Sequence, residues 1–249
     1  MLMSNGYSLE REVEQLRAVM GWSPAALIVT GRQHLEAAQT LLLHACGLGT
    51  PVLQIWDYQN SKETPPQGIV QVGFNHGEVG RLMARHFIDS GHRELAFADS
   101  GVLEDYRAHE RAEGFVRAAR HARVRVRTVL APTGDAFDGG RAVLQALRRQ
   151  YPQVSAVAFA NDHLACGALM QALEMGLKVP DTLAMLGFGD FPIGRQLQPA
   201  LSTMHAPRTE IGRAAAEIVL ACLREGTPPQ SRWLPCELVQ RESSAPFSN

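Results

Sequence analysis

The segment that decides the fold is residues 154–207, VSAVAFANDHLACGALMQALEMGLKVPDTLAMLGFGDFPIGRQLQPALSTMHAP. It opens with an apolar run, residues 154–160, which ends at Asn161 and is too short for an independent helix, so it predicts a buried strand. Apolar residues then recur at steps of three and four, which predicts a helix with Asp162 as its N-cap. A second apolar run follows at residues 183–186. Strand, helix and strand in this order predict two neighbouring parallel strands with a right-handed crossover.

The same alternation continues toward both ends of the chain. Further strands are predicted at residues 26–29, 52–55, 69–74, 94–98, 124–129, 201–205 and 233–239. Further helices are predicted after Ser8, at residues 35–46 and 75–90, around residues 107–117, and at residues 139–150 and 208–224. Residues 58–68 read as a polar surface loop and residues 243–249 as a frayed tail. Alternating strands and helices predict parallel sheets that are covered on both faces.

Several polar and aromatic residues fall where the predicted strands end, and ligands of open parallel sheets bind beyond the carboxyl ends of the strands. Asn161 and Asp190 lie there, although Asn161 is equally suited to cap a helix. Phe137 is suited to stack on a sugar-like ligand or, alternatively, to pack as a staple on the next helix. Arg111 offers a planar fork of donors for a carboxylate or for two hydroxyls. Against a role for this one arginine, eight arginines lie between Arg93 and Arg127, and most must be solvated or ion-paired.

Composition excludes several classes of protein. With 24 basic and 25 acidic residues, the chain lacks the basic excess of a nucleic-acid-binding domain. No apolar run is long enough to span a bilayer. The first residues of the sequence do not show the basic-then-apolar pattern of an export signal, but this does not exclude an exported protein. The four cysteines, Cys46, Cys166, Cys222 and Cys236, have no metal-ligand spacing, so we expect buried thiols in a reducing compartment and no metal site.

Motifs that carry catalysis or cofactor binding are absent from the sequence. There is no GxGxxG after a strand, no GxxxxGK[ST], no HExxH and no GxSxG. We therefore expect no enzyme activity and no cofactor.

Five strings carry a resemblance to a known family. They are VGFNHxxxGRLMARHFIxxGHRELAF from residue 72, RxxGF from residue 111, AxANDxxAxGAL from residue 158, GLxVPxxLAxLGF from residue 176 and PALSTMxxPRxEIGRxAAE from residue 199. Together they resemble the effector-binding domain of the lactose/galactose-repressor family of bacterial transcription regulators. The junction GFGDFPIG at residues 187–194 is most similar to the gluconate-operon repressor branch.

The resemblance implies a periplasmic-binding-protein-like α/β fold with two doubly wound, Rossmann-like lobes, parallel sheets and a ligand cleft between them. One lobe would comprise residues 1–92 plus about 204–230, and the other residues 93–203 plus about 231–249. It also implies that a DNA-binding headpiece and a first strand-helix unit precede this chain in the family. An exported sugar-binding protein of a transport system shares the fold and remains the alternative.

The resemblance also implies a ligand and a set of contacts. The ligand would be a sugar or a gluconate-like sugar acid, with Arg111 as the anion contact and Asn161 as a hydroxyl contact. Asn75, Glu78 and Phe137 are weaker candidates; the family more often has Asp at the position of Asn75. Asp190 is shifted by one place from the family's usual Asp. The implied partners are operator DNA, reached only through the absent headpiece, and a second copy of the chain in a homodimer. The implied setting is cytoplasmic, without a membrane.

Overall fold

The computed structural model describes residues 1–59 and 68–244. The predicted polar loop at residues 58–68 lies mainly outside this part of the chain, as do residues 245–249 of the predicted tail. The helices are α1 (Leu9–Met20), α2 (Glu36–Gly47), α3 (His76–Asp89), α4 (Tyr106–His121), α5 (Ala136–Gln150), α6 (Asp162–Glu174) and α7 (Arg208–Glu225). The strands are β1 (Leu27–Thr30), β2 (Val52–Ile55), β3 (Ile69–Gly73), β4 (Glu94–Asp99), β5 (Arg125–Leu130), β6 (Ala156–Phe159), β7 (Ala184–Phe188), β8 (Ser202–His205), β9 (Arg232–Trp233) and β10 (Glu237–Val239).

The chain folds into two compact units, each built on its own sheet. The first unit comprises Met1–Asn75 and Pro207–Pro235, and the second comprises His76–Ala206 and Cys236–Asn249. The boundary therefore falls before α3, whereas the sequence led us to expect it after residue 92. The reason is that α3 packs against α4 at glycine contacts, which ties α3 to the second unit.

The first unit has a four-stranded sheet in the order β1-β2-β3-β9, and all of its neighbouring strands are parallel. Its core joins α1 and α2 to the sheet through Val13, Leu16, Leu42 and Val52, which are at most 6% exposed. Helix α7 packs on β2 and β3 with Ile211 and other buried apolar residues. The apolar stripes of α1 and α7 are thus core.

The second unit has a six-stranded sheet in the order β10-β8-β7-β6-β4-β5. Every neighbouring pair is parallel except β10 with β8. The mostly parallel α/β architecture predicted from the alternating pattern is confirmed. The carboxyl ends of β4, β6 and β7 lie at one edge of this sheet, which is where the site residues gather.

Two helix pairs of this unit pack in the same way. In α3 and α4, a Cβ on Gly80 would lie 1.9 Å from the carbonyl oxygen of Arg111. In α5 and α6, a Cβ on Gly140 would lie 1.9 Å from the carbonyl oxygen of Leu164, and one on Gly167 would lie 2.0 Å from that of Phe137. Only glycine permits such close backbone contact.

The carboxyl-terminal segment differs from its predicted form. The single strand expected at residues 233–239 is divided into β9, which joins the first sheet, and β10, which joins the second. Ser243 and Ser244 were expected in a frayed tail but are buried. The Ser243 hydroxyl accepts from the amide of Ser202 at 2.8 Å and donates to the carbonyl of Met185 at 2.7 Å, which fixes this end of the chain to the second sheet.

The four cysteines are all free thiols. Burial raises the pKa values of Cys166 and Cys236 to about 12, so both are inert as nucleophiles. Cys46 and Cys222 are only partly buried, contrary to the expectation that every thiol is buried. Among the described residues, no helix combines the length and the apolar character that a bilayer crossing requires.

Candidate functional site

Arg111 is the best-defined polar group at the carboxyl edge of the second sheet. It projects from α4, and its residue is only 4% exposed. Its Nη1 donates to Nδ1 of His76 at 2.8 Å, and its Nη2 donates to the carbonyl oxygen of Ala160 at 2.9 Å. The guanidinium carbon lies 4.1 Å from the ring centroid of Phe188, in a cation-π contact. The side chain predicted as the anion contact is therefore buried, charged and held in one orientation.

The partners of Arg111 come from three separate elements. His76 is the first residue of α3, Ala160 directly follows β6, and Phe188 is the last residue of β7. The topology places the ends of β6 and β7 side by side, because these strands are parallel neighbours. The guanidinium thus lies across the ends of two adjacent strands, which is the usual ligand position in this class of sheet.

Asn161 lies next to the carbonyl that accepts from Arg111, so the two predicted contacts are brought together. Its side-chain oxygen accepts from the amide of Leu164 at 3.0 Å, which makes Asn161 the N-cap of α6. The prediction that Asp162 is the N-cap is wrong. Asp162 is instead the first helical residue and is fully buried, with its carboxylate turned to β8 and to the backbone after β7.

An aromatic stack lies beyond the ends of β6 and β7. His163 and Phe191 are stacked with centroids 4.7 Å apart and planes 16° apart. Phe137 also contacts His163, with ring centroids 5.3 Å apart and planes tilted by 50°. Phe137 is therefore part of a partly exposed aromatic surface, to which the first turns of α5 and α6 contribute Phe137 and His163 and the segment after β7 contributes Phe191. Whether it also contacts a ligand stays a prediction.

Asp190 has a buried carboxylate at the centre of an ion cluster whose members Arg195 and His205 are partly exposed. Its Oδ1 accepts from Arg241 at 2.6 Å, and its Oδ2 accepts from Arg195 at 2.8 Å and from His205 at 3.0 Å. Burial by itself raises the pKa of Asp190, but the hydrogen bonds from Arg241, Arg195 and His205 outweigh it and lower the pKa to about 2. The carboxylate is ionised at neutral pH and joins β7, β8 and the carboxyl-terminal segment.

The two remaining predicted contacts lie around the start of α3. Glu78 receives a hydrogen bond from Nε of Arg81 at 2.8 Å, and this interaction lowers the pKa of Glu78. Glu78 is two positions after His76 on one helix, so the two side chains point in different directions. Asn75 belongs to the first unit and directly precedes α3. Ligand contact by Glu78 and Asn75 stays a prediction.

The first unit has its own polar group at the carboxyl ends of its strands, which the sequence did not reveal. Arg32 follows β1 and donates to Asp57, which follows β2, at 3.3 Å; Asp57 is only 2% exposed. Behind it, Gln71 donates to Gln54 at 3.1 Å between directly paired positions of β3 and β2. Buried glutamines inside apolar strands were the available signal.

His76 and Phe188 were also missed. His76 had no partner that sequence spacing identified, and Phe188 lies two residues after the apolar run predicted at residues 183–186. The only signal was their position directly beside predicted strand ends. No group of His, Cys, Asp and Glu in the described part of the chain could hold a metal ion.

Comparison with known proteins identifies the family. The model of the periplasmic binding protein-like domain matches residues 84–244. The HTH-type transcriptional regulator GntR of Escherichia coli (strain K12) is 32% identical over 224 residues, which cover 90% of this chain and 65% of that protein. GntR of Pseudomonas aeruginosa is 35% identical over 242 residues, which cover 96% of this chain and 67% of that protein. This chain therefore spans about two thirds of the length of these relatives.

Solved structures agree with the sequence relatives. A LacI family transcriptional regulator from Silicibacter pomeroyi has a TM-score of 0.89 at 30% identity, with 98% of this chain and 72% of that chain covered. The regulator GntR from Chromobacterium violaceum has a TM-score of 0.86 at 26% identity, with 98% and 87% covered. The chain belongs to the lactose/galactose-repressor (LacI) family of transcription regulators and has the periplasmic-binding-protein-like domain of that family.

Proposed function

We propose that this chain is the effector-binding core of a bacterial transcriptional repressor and that its effector is a sugar acid of the gluconate type. The observation that supports this most directly is the buried guanidinium of Arg111 at the ends of β6 and β7. Relatives that are transcription regulators favour this proposal over the alternative of an exported sugar-binding protein.

The chemistry of the site suits an oxygen-rich anion. A guanidinium has five N–H donors. In Arg111, two of these donors form the hydrogen bonds to His76 and to Ala160 and so hold the group in place. A carboxylate that meets a buried, fixed guanidinium gains more than one in water, because the local dielectric is low and the donor needs no reorganisation. Asn161 adds an amide beside this position for a hydroxyl, and Phe137 adds an apolar ring for the carbon chain.

The mechanism would be a shift between two conformational states. An effector changes the output of a regulator only if it binds one state more tightly than the other. We propose that the contacts of Arg111 and Asn161 supply this difference. We propose that DNA is contacted by a segment that the relatives have and this chain does not span. We also propose that the protein acts in the cytoplasm and has no enzymatic activity.

Arg111→Ala is expected to abolish the rise in melting temperature that an effector produces. A ligand that binds only the folded protein at 100 times its Kd stabilises it by about 2.7 kcal/mol, and this increment disappears when the anion contact is removed. Differential scanning fluorimetry with gluconate, 2-ketogluconate and 6-phosphogluconate tests the prediction.

The matched control is Arg117→Ala, since Arg117 is an exposed arginine of the same helix. This variant should keep the full ligand-dependent rise. An unchanged rise in Arg111→Ala would remove Arg111 from the site, and no rise in the wild-type chain with any of the three sugar acids would contradict the proposed effector class.

We also expect a homodimer. Dimeric repressors pair so that their two-fold axis matches that of the operator. The apolar stripes of α1 and α7 are core in this structure, and the large exposed apolar residues of α7 are Leu220 and Leu223, at 45% and 50%. Multi-angle light scattering at micromolar concentration should give twice the chain mass of 27.2 kDa. A single monomer mass would contradict the dimer.

A further inference from the structure

We infer that His76 is the positioning residue of this site: its Nδ1 fixes the orientation of the Arg111 guanidinium and thereby the affinity for an anionic effector. The part about affinity rests on the proposed function; the part about orientation does not. His76 makes no ligand contact in this inference and acts through Arg111.

The hydrogen bond determines the form of the imidazole. An arginine side chain has only donors, so Nδ1 of His76 must be the acceptor in the 2.8 Å bond from Nη1 of Arg111. An imidazole nitrogen accepts only when it carries no proton, so His76 is neutral and its proton is on Nε2. His76 is 2% exposed and Arg111 is 4% exposed, so water does not compete freely for this bond.

His76 completes a three-point fixation of the guanidinium. The carbonyl oxygen of Ala160 accepts from Nη2, and the ring of Phe188 lies 4.1 Å from the guanidinium carbon. The ring contact restrains the distance from Phe188, and the hydrogen bond to Ala160 holds Nη2. The hydrogen bond to His76 holds Nη1, so both terminal nitrogens of the guanidinium are fixed. Bidentate capture of a carboxylate needs the fork to face one direction, so the second bond matters for binding.

The helix packing brings His76 to this position. Gly80 contacts the backbone of Arg111, since a Cβ there would lie 1.9 Å from the Arg111 carbonyl oxygen. His76 precedes Gly80 by four residues and therefore shares its helix face. The close contact between α3 and α4 at Gly80 thus places the imidazole, one turn nearer the start of α3, against the side chain of Arg111.

The first arm of the test needs no ligand. In the 15N spectrum of the histidine side chains, the resonances lost in His76→Phe identify His76, which should appear as the neutral Nε2–H form at neutral pH. In Arg111→Ala this resonance pair should move toward a mixture of tautomers. A protonated imidazole or an Nδ1–H form in the wild-type chain would overturn the inference.

The second arm measures binding of gluconate, 2-ketogluconate and 6-phosphogluconate by calorimetry. His76→Phe keeps a ring but removes the acceptor, so we expect binding about 10-fold weaker, in line with the cost of an unmade buried hydrogen bond. His76→Asn and His76→Gln keep an acceptor, and at least one should bind within about 3-fold of wild type. In an Arg111→Ala background, His76→Phe should change nothing further.

The two arms separate the possible failures. If the wild-type chain binds none of the three sugar acids, the proposed effector class fails, while the nitrogen spectrum still decides whether His76 orients Arg111. If the wild-type chain binds and His76→Phe binds equally well with an unchanged melting temperature, the positioning role is wrong. Equal losses in all three His76 variants would indicate a purely structural role and would also overturn it.

Discussion

Gly140→Ala is expected to destabilise the second unit by about 3 kcal/mol, the upper part of the range for overpacked sites. The new Cβ would lie 1.9 Å from the carbonyl oxygen of Leu164 and 3.0 Å from the amide nitrogen of Ala168. Both atoms belong to the backbone of α6, so no side-chain rotation relieves the contact. Helices α5 and α6 must move apart, which opens the packing beneath them.

The sign of this effect is opposite to that expected from local propensity. Alanine in a helix interior is favoured over glycine by about 1 kcal/mol, because glycine loses more backbone entropy on folding. Tertiary contact therefore has to outweigh a local gain. Urea denaturation of Gly140→Ala, monitored by circular dichroism, should show a lower midpoint with little change in slope.

Gly212→Ala is the matched control. Gly212 lies within α7, is exposed, and has no atom within 4 Å of the position of a new Cβ. The same substitution should therefore raise stability by up to about 1 kcal/mol through helix propensity alone. If Gly140→Ala is as stable as wild type, or if both substitutions change the urea midpoint in the same direction, the predicted close backbone contact between α5 and α6 is wrong.

Glycine contacts of this kind mark the limit of what the sequence predicts. The alternation of apolar runs and helical stripes predicted the order of strands and helices, since each pattern is local to its element. The division into units depends instead on which helices touch. Gly80 and Gly114 join α3 to α4 across about 30 residues of sequence, and nothing in the local pattern of α3 indicates this.

In the candidate site too, the sequence predicted some residues and missed others. Arg111 and Asn161 were predicted from a family motif and from a strand end, and the structure places them beside the same carbonyl group. His76 was not predicted, because its partner lies 35 positions away and a lone histidine has no spacing signature. The exchange of roles between Asn161 and Asp162 has a similar cause: both are good caps, and only the burial of Asp162 against β8 decides between them.

The ion cluster around Asp190 gives the second large effect. Asp190→Asn is expected to cost about 3 kcal/mol, because it removes the negative charge between Arg241 and Arg195 while it keeps the size of the side chain. Arg241 is only 15% exposed and would stay beside a neutral amide. Since Arg241 also donates to the carbonyl of Leu201 at 2.6 Å, the loss should loosen the carboxyl-terminal segment first.

The pH dependence of this variant follows from the lowered pKa. The pKa of Asp190 is about 2 in the folded protein and about 4 in an unfolded chain. A group whose folded pKa is depressed stabilises the fold fully above its unfolded pKa, and this contribution is lost as pH falls through the folded value. The stability difference between wild type and Asp190→Asn should thus be largest above about pH 5 and should shrink toward about pH 2.

Urea denaturation at pH 7, 5, 4 and 3 measures this difference directly, with Asp89→Asn as the control. Asp89 pairs with Arg85 at 3.3 Å, but both side chains are 65% exposed, so its substitution should change stability by no more than about 0.5 kcal/mol at any pH. An Asp190→Asn variant as stable as Asp89→Asn at pH 7 would show that the cluster does not hold the segment. A constant loss across the pH series would show instead that the ionisation of Asp190 is not its cause.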